Sequence, residues 1–136
     1  MSRLAIDDLV CKALATAGLG TYGTDLFRGP VRGIDQDGIP VAAIFVQERG
    51  GDAQPMLNAT VSGSLYTTPV MVRVRSAQED YDGGQTTARA VYDALHTKNP
   101  SGTGNGGCYG GPWGYLGPDK AGNHEWSLNF EVVWAG

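Results

Sequence analysis

The sequence predicts an α+β fold: a small, mainly antiparallel sheet with two helices packed on one face and long loops between the elements. Three observations predict it. Apolar residues recur at helical spacing in Ile6–Ala17 and Ala88–Leu95. They alternate with polar residues in Val70–Val74 and Trp126–Trp134, the period of a strand with one buried face. The implied order is helix, strand, strand, helix, strand, strand. Two helices cannot cover both faces of such a sheet, so one face is left without helices.

Each element has its own signals. Ile6, Leu9, Val10, Ala13, Leu14 and Ala17 form one stripe on the first helix. Ser2 is placed to cap its start, and Gly18 or Gly20 to end it. Residues Thr21 to Pro40 are turn-rich and expected to be irregular. Val41 to Glu48 (VAAIFVQE) reads as a buried strand bounded by Pro40 and Gly50. Leu57, Ala59, Val61, Gly63 and Leu65 alternate weakly, as a short strand or hairpin arm would. Thr68 to Ser76 (TPVMVRVRS) is clearer, with Val70, Val72 and Val74 on one side and Met71, Arg73 and Arg75 on the other.

The second helix is expected from about Tyr81 to His96, with Ala88, Val91, Tyr92 and Leu95 as its stripe. Residues Gln78 to Asp82 supply acidic and polar groups for its first turn. Two strands finish the chain, about Cys108–Leu116 and His124–Trp134, joined by GPDKAGN. In the last strand Trp126, Leu128, Phe130, Val132 and Trp134 share a face. Glu125, Ser127, Asn129 and Glu131 share the other.

The chain has 136 residues, enough for one domain with an ordinary core. A net charge of −4 argues against a protein that wraps nucleic acid through a basic face. The N-terminal stretch carries acidic residues and no apolar h-region, so no signal peptide is expected. No apolar run approaches the ~20 residues of a membrane span. Two cysteines without a CxxC spacing suggest free thiols in an intracellular protein. The twenty-one glycines cluster between elements, where they punctuate rather than fill.

The chemical motifs are weak. Gly18 to Gly23 (GLGTYG) satisfies G-x-G-x-x-G literally, but a helix precedes it and loop follows, the reverse of the dinucleotide context; a helix C-cap explains it. Glu79 to Gly84 (EDYDGG) hints at a calcium loop, but no bidentate Glu stands at the twelfth place, and helix N-terminal charge explains it. Cys11, His96 and His124 form no recognisable nucleophile or metal spacing. Cys11 reads as a packing residue beside the helix stripe, and His96 as a helix-terminal imidazole. No catalytic, cofactor-binding or metal-ligating residue is expected, and no enzyme activity.

Two features stand out. The polar sheet face carries Arg73, Arg75, Glu125, Asn129 and Glu131, whose opposite charges can pair across strands. It is either a solvated outer face or an interface lined with Arg. Long loop material around Glu48–Pro69 and Pro100–Gly111 exceeds what hairpin turns need and suits contacts with neighbouring subunits. The candidate subunit-interface residues are therefore Glu48, Arg49, Arg73, Arg75, Glu125 and Glu131.

The ensemble of these segments resembles the tail terminator proteins of long-tailed bacteriophages, often labelled minor capsid proteins. The matching residues are Arg73 and Arg75 before the second helix, Leu95-His96 at its end, Pro112, Leu116-Gly117 and Asp119 in the later turn, and Ser127-Leu128-Asn129-Phe130. Thr21 to Gly29 and Glu48 to Pro55 also look like the family's middle region. The Gly-rich stretch Ser101–Gly111 departs from that pattern. The resemblance implies a six-subunit ring that caps the last ring of tail-tube protein, stops polymerisation and presents a surface to the DNA-filled head. The implied partners are further copies of the chain, the tube protein and a head-completion or stopper protein, with DNA passing the lumen unbound and no membrane. The implied location is the virion neck, with assembly in the host cytoplasm. A head-completion or stopper protein is the alternative.

Overall fold

The structure is a computed structural model that describes residues 5–29, 40–48, 54–55, 65–98, 107–111 and 113–135. Its centre is a pair of long strands, β4 (Leu65–Ser76) and β7 (His124–Ala135), antiparallel along their whole length. Each carries two shorter strands on its outer side. β2 (Ala43–Glu48) and β3 (Gln54–Pro55) pair with successive parts of β4; β5 (Cys108–Gly110) and β6 (Gly114–Pro118) pair with successive parts of β7. β1 (Leu26–Arg28) adds to β2 in parallel, the only parallel pairing between named strands among the described residues. The sheet is thus open and mostly antiparallel. Helices α1 (Ile6–Thr16) and α2 (Tyr81–Leu95) pack on one face and touch each other.

The register explains the core. Ile44, Val74 and Trp126 form one row across β2, β4 and β7, and Val46, Val72 and Leu128 form the next. Phe130 follows opposite Val70. All of these side chains are buried beneath Ile6, Val10 and Leu14 of α1 and Ala88, Val91 and Leu95 of α2. β-branched residues suit these half-buried positions because their stiff side chains pack well on a pleated surface. The expected assignment of Val70, Val72, Val74, Trp126, Leu128 and Phe130 to the helix-covered face holds.

Several boundaries differ from expectation. α1 starts at Ile6 after Ala5, which makes no side-chain cap, and the expected cap Ser2 lies outside the described residues. The Ile6 N–H instead donates to Glu48 Oε2 at 3.0 Å. Glu48 ends β2 on the helix-facing side, so a carboxylate from the sheet supplies what the local sequence lacks. Glu48→Ala should cost about 0.5–2 kcal/mol, the range of a lost cap. Chemical denaturation measures this, and an unchanged midpoint would refute the cap. At the other end Gly18 takes φ +82°, the left-handed cap that glycine favours.

The segment expected to be irregular after Thr21 contains β1, and Leu26 is wholly buried there. A three-residue strand is too short to show a period. The strand expected from Cys108 to Leu116 is broken into β5 and β6. Gly110 lies so close to Phe130 and the Asn129 carbonyl that a Cβ there would collide with both. Gly110 pairs with Phe130 but Gly114 with Ser127, a one-residue offset in register that interrupts the strand as a bulge does, and β6 carries a further irregularity between Tyr115 and Gly117. Leu65 belongs to β4, while the Leu57–Gly63 alternation lies outside the described residues. α2 matches its expected span to one residue. Asp80 caps it by accepting the Gly83 N–H at 3.1 Å.

Candidate functional site

The outer face of the sheet, away from the helices, carries the charged residues singled out by the sequence. Arg75 stands opposite Glu125 in the register, and Arg73 opposite Ser127, diagonal to Glu125 and Asn129. Glu131 lies further along β7, exposed, between Pro69 and Tyr109. The structure therefore brings Arg73, Arg75, Glu125 and Glu131 to one face. Glu48 faces the other side, where it meets α1. Arg49 lies outside the described residues.

The chemistry of this face is less symmetrical than alternation suggests. Arg75 is only 6% exposed. Its Nε donates to the Val41 carbonyl at 2.9 Å and its Nη2 to the Pro40 carbonyl at 3.0 Å, while its guanidinium lies 5.3 Å over the Phe45 ring. It forms no ion pair with Glu125. Two charge-assisted bonds in a sheltered site outweigh a solvated cross-strand pair. Phe45, on the same face opposite Arg73, is 3% exposed and stacks on Phe27 at 5.6 Å. In the β2–β4 half of this face Phe45 and Arg75 are therefore covered within the chain itself rather than solvated. Arg73 Nε is buried with no hydrogen-bond partner among the described residues.

A second cluster lies at the β6 edge, around the start of α2. Tyr81, Tyr115 and Trp126 have ring centroids 5.3 Å apart in each pair, and His124 joins them 5.3 Å from Tyr81. His124 Nε2 lies 2.9 Å from the Gln78 carbonyl, and Nδ1 lies 2.8 Å from Tyr115 Oη. A carbonyl only accepts, so in the neutral ring Nε2 carries the proton and Nδ1 accepts from the phenol. This ties the edge strand to the β4–α2 turn. Tyr81, Tyr115 and neighbouring Leu116 remain exposed. No local pattern signals this cluster, because its members come from three separate elements.

A third group joins α1 to β1. Arg28 Nε meets Asp7 at 2.7 Å, Lys12 meets Asp8 at 2.9 Å, and the Tyr22 hydroxyl donates to Asp8 at 2.7 Å. The bonds from Lys12 and Tyr22 hold the Asp8 carboxyl below its ordinary range. His96 departs from its expected role. Its Nδ1 accepts the Gly110 N–H at 3.2 Å rather than meeting the last helix carbonyls, and its ring stacks on Tyr92.

Cys11 and Cys108 are free and buried. Burial pushes each thiol from an ordinary 9.0 up to about 12. Neutral thiols are poor nucleophiles, so neither should react with Ellman's reagent in the folded protein at pH 8, and both should react after denaturation. Because the folded protein retains protons that the unfolded chain releases, stability should fall as pH rises from 9.0 towards 12. Replacing both cysteines by Ser should flatten that fall in pH-dependent melting, and an unchanged slope would refute the assignment. Among the described residues no group of three or more His, Cys, Asp or Glu could hold a metal ion. No helix among the described residues is long and apolar enough to cross a membrane.

No family model matches this sequence, and no curated protein matches it by sequence. Its fold is similar to that of a chain in the virion of a native gene transfer agent particle. The TM-score is 0.65 at 19% identity, covering 97% of this chain and 96% of the other.

Proposed function

We propose that this chain is a structural protein of a phage-like virion, acting as a tail terminator. Six copies form a ring on the head-proximal end of the tail tube, stop its growth and offer the joining surface to the head. The observation that carries this reading is the fold likeness to a virion chain over nearly the full length of both proteins. The sequence resemblance to tail terminators, made on residues spread from Thr21 to Phe130, supports the finer role. The role requires shape rather than catalysis. A tube grows by one repeated head-to-tail contact, which does not close by itself, so its last ring must be covered by a surface that the next cannot join.

The outer face suits a subunit interface. Arg73 and Glu125 are half-buried and Glu131 is exposed there, so charged side chains remain for a neighbouring copy to meet. A net charge of −4 suits a lumen that DNA must pass without sticking. Electron microscopy of lysates with a stop codon early in the gene tests the proposal. Tails of uncontrolled length together with full, tailless heads are expected. Finished tails of normal length that fail to join heads would instead assign the chain to the head-completion side.

A further inference from the structure

The turn that ends α2 brings a strained residue, a titratable ring and a cleft to one place. The Lys98 N–H donates to the Leu95 carbonyl at 3.0 Å and closes the turn. Between them His96 takes φ −64° and ψ 127°, and Thr97 takes φ +63°. These angles describe a type II turn, whose third position favours glycine. Thr97 is the only non-glycine residue with positive φ among the described residues, and its branched Cβ makes that conformation costly. Strain of this kind persists only where the surroundings hold it.

Three hydrogen bonds to β5 hold this turn. The Thr97 N–H donates to the Cys108 carbonyl at 2.7 Å, the Cys108 N–H to the Lys98 carbonyl at 2.8 Å, and the Gly110 N–H to His96 Nδ1 at 3.2 Å. A backbone N–H only donates, so His96 Nδ1 is bare and its Nε2 carries the proton. Protonation turns Nδ1 into a second donor facing the first, and that bond is lost. The other histidine behaves differently. His124 Nε2 already donates to the Gln78 carbonyl, and Nδ1 meets the Tyr115 hydroxyl, which can turn to accept. Protonation therefore keeps both bonds of His124 and breaks the one bond of His96.

The proton has access, because His96 is half-buried and lines an open cleft of about 490 Å³. The ionisable groups around the ring are Tyr92, stacked on it at 4.7 Å, Asp93 on the same helix, Lys98 after the turn, Cys108 and Tyr109 of β5, and Glu131 of β7, which lines the same cleft. Glu131 offers the imidazolium a counter-charge once the Gly110 bond is gone. We propose that the α2–β5 junction is an acid-released latch. Neutral His96 clasps the Gly110 N–H and keeps the strained Thr97 turn closed; the imidazolium lets go. Release frees the Gly110–Gly111 rim of the cleft beside Glu131, so acid loosens that end of the outer face.

Amide exchange of the full chain at pH 8 and pH 5, corrected for intrinsic rates, tests the latch across the range in which imidazoles titrate. Protection of the Gly110 amide should fall roughly tenfold between the two, the scale of one hydrogen bond lost with its donor left unpaired. The Gly122 amide, bonded to the Asp119 carbonyl in the turn before His124, should keep its protection. His96→Asn sets an amide oxygen near the place of Nδ1 and should keep Gly110 protected at both pH values. His96→Phe keeps a ring on Tyr92 but accepts nothing, and should leave Gly110 unprotected at both. Thr97→Gly removes the strain without touching the acceptor and should shrink the acid loss. Equal Gly110 protection at pH 8 and pH 5 in the natural chain overturns the latch. So does an acid loss that persists in His96→Asn, or full protection in His96→Phe at pH 8. An undiminished loss in Thr97→Gly overturns the part assigned to strain.

Discussion

Leu128→Asp is expected to leave no folded protein. Leu128 is wholly buried at the middle of β7, in the row formed with Val72 and Val46 beneath the helices. A carboxylate placed there has no partner, and burying it costs several kcal/mol against a total stability of about 5–15 kcal/mol for a domain. Leu128→Ala removes the same side chain without adding charge and should cost ~2–5 kcal/mol. The two substitutions together separate loss of packing from burial of charge. Circular dichroism and denaturant titration read both. A folded Leu128→Asp protein with normal melting would mean that the sheet's two faces have been exchanged.

Trp126→Ala should cost about 3–5 kcal/mol, the range for removing a large buried aromatic. Trp126 is 1% exposed, opposite Val74 on β4 and Tyr115 on β6. α2 approaches it so closely that a Cβ on Gly84 would collide with its ring. The loss should therefore loosen both the first turn of α2 and the β6 edge, where Tyr81, Tyr115 and His124 surround the indole. Hydrogen exchange should show faster opening at Tyr115 and Gly117 than at Val46, at the far side of the sheet. Uniform acceleration across the sheet would contradict this local role. Tyr115→Phe, which removes only the phenol that donates to His124, is the mild control, at about 0.5–1.5 kcal/mol.

The long elements were legible in the sequence because their periods repeat often enough to be read. Val70, Val72 and Val74 against Trp126, Leu128 and Phe130 define the central pair, and Ile6 to Leu14 defines α1. β1 was not legible: Leu26 to Arg28 is too short for any period, and its place is set by pairing with β2. The break between β5 and β6 is a one-residue offset in their pairing with β7, which alternation along one strand does not announce. The cap of α1 by Glu48 spans forty-two positions and leaves no trace near Ser2 or Ala5.

The charged outer face was legible as a set, since Arg73, Arg75, Glu125 and Glu131 follow from alternation alone. How its charges are spent was not. Arg75 turns to the carbonyls of Pro40 and Val41 because the chain before β2 passes within reach, which no spacing in β4 or β7 announces.

The central claim is that this chain ends tube growth as a ring of six. Its most direct measurement is electron microscopy of tube protein polymerising with and without the purified chain, with reconstruction of the capped ends. The account predicts that growth stops and that a six-fold ring of this chain covers one end of each tube. Tubes that continue to lengthen with the chain present, or ends that carry no ring of it, would contradict the account.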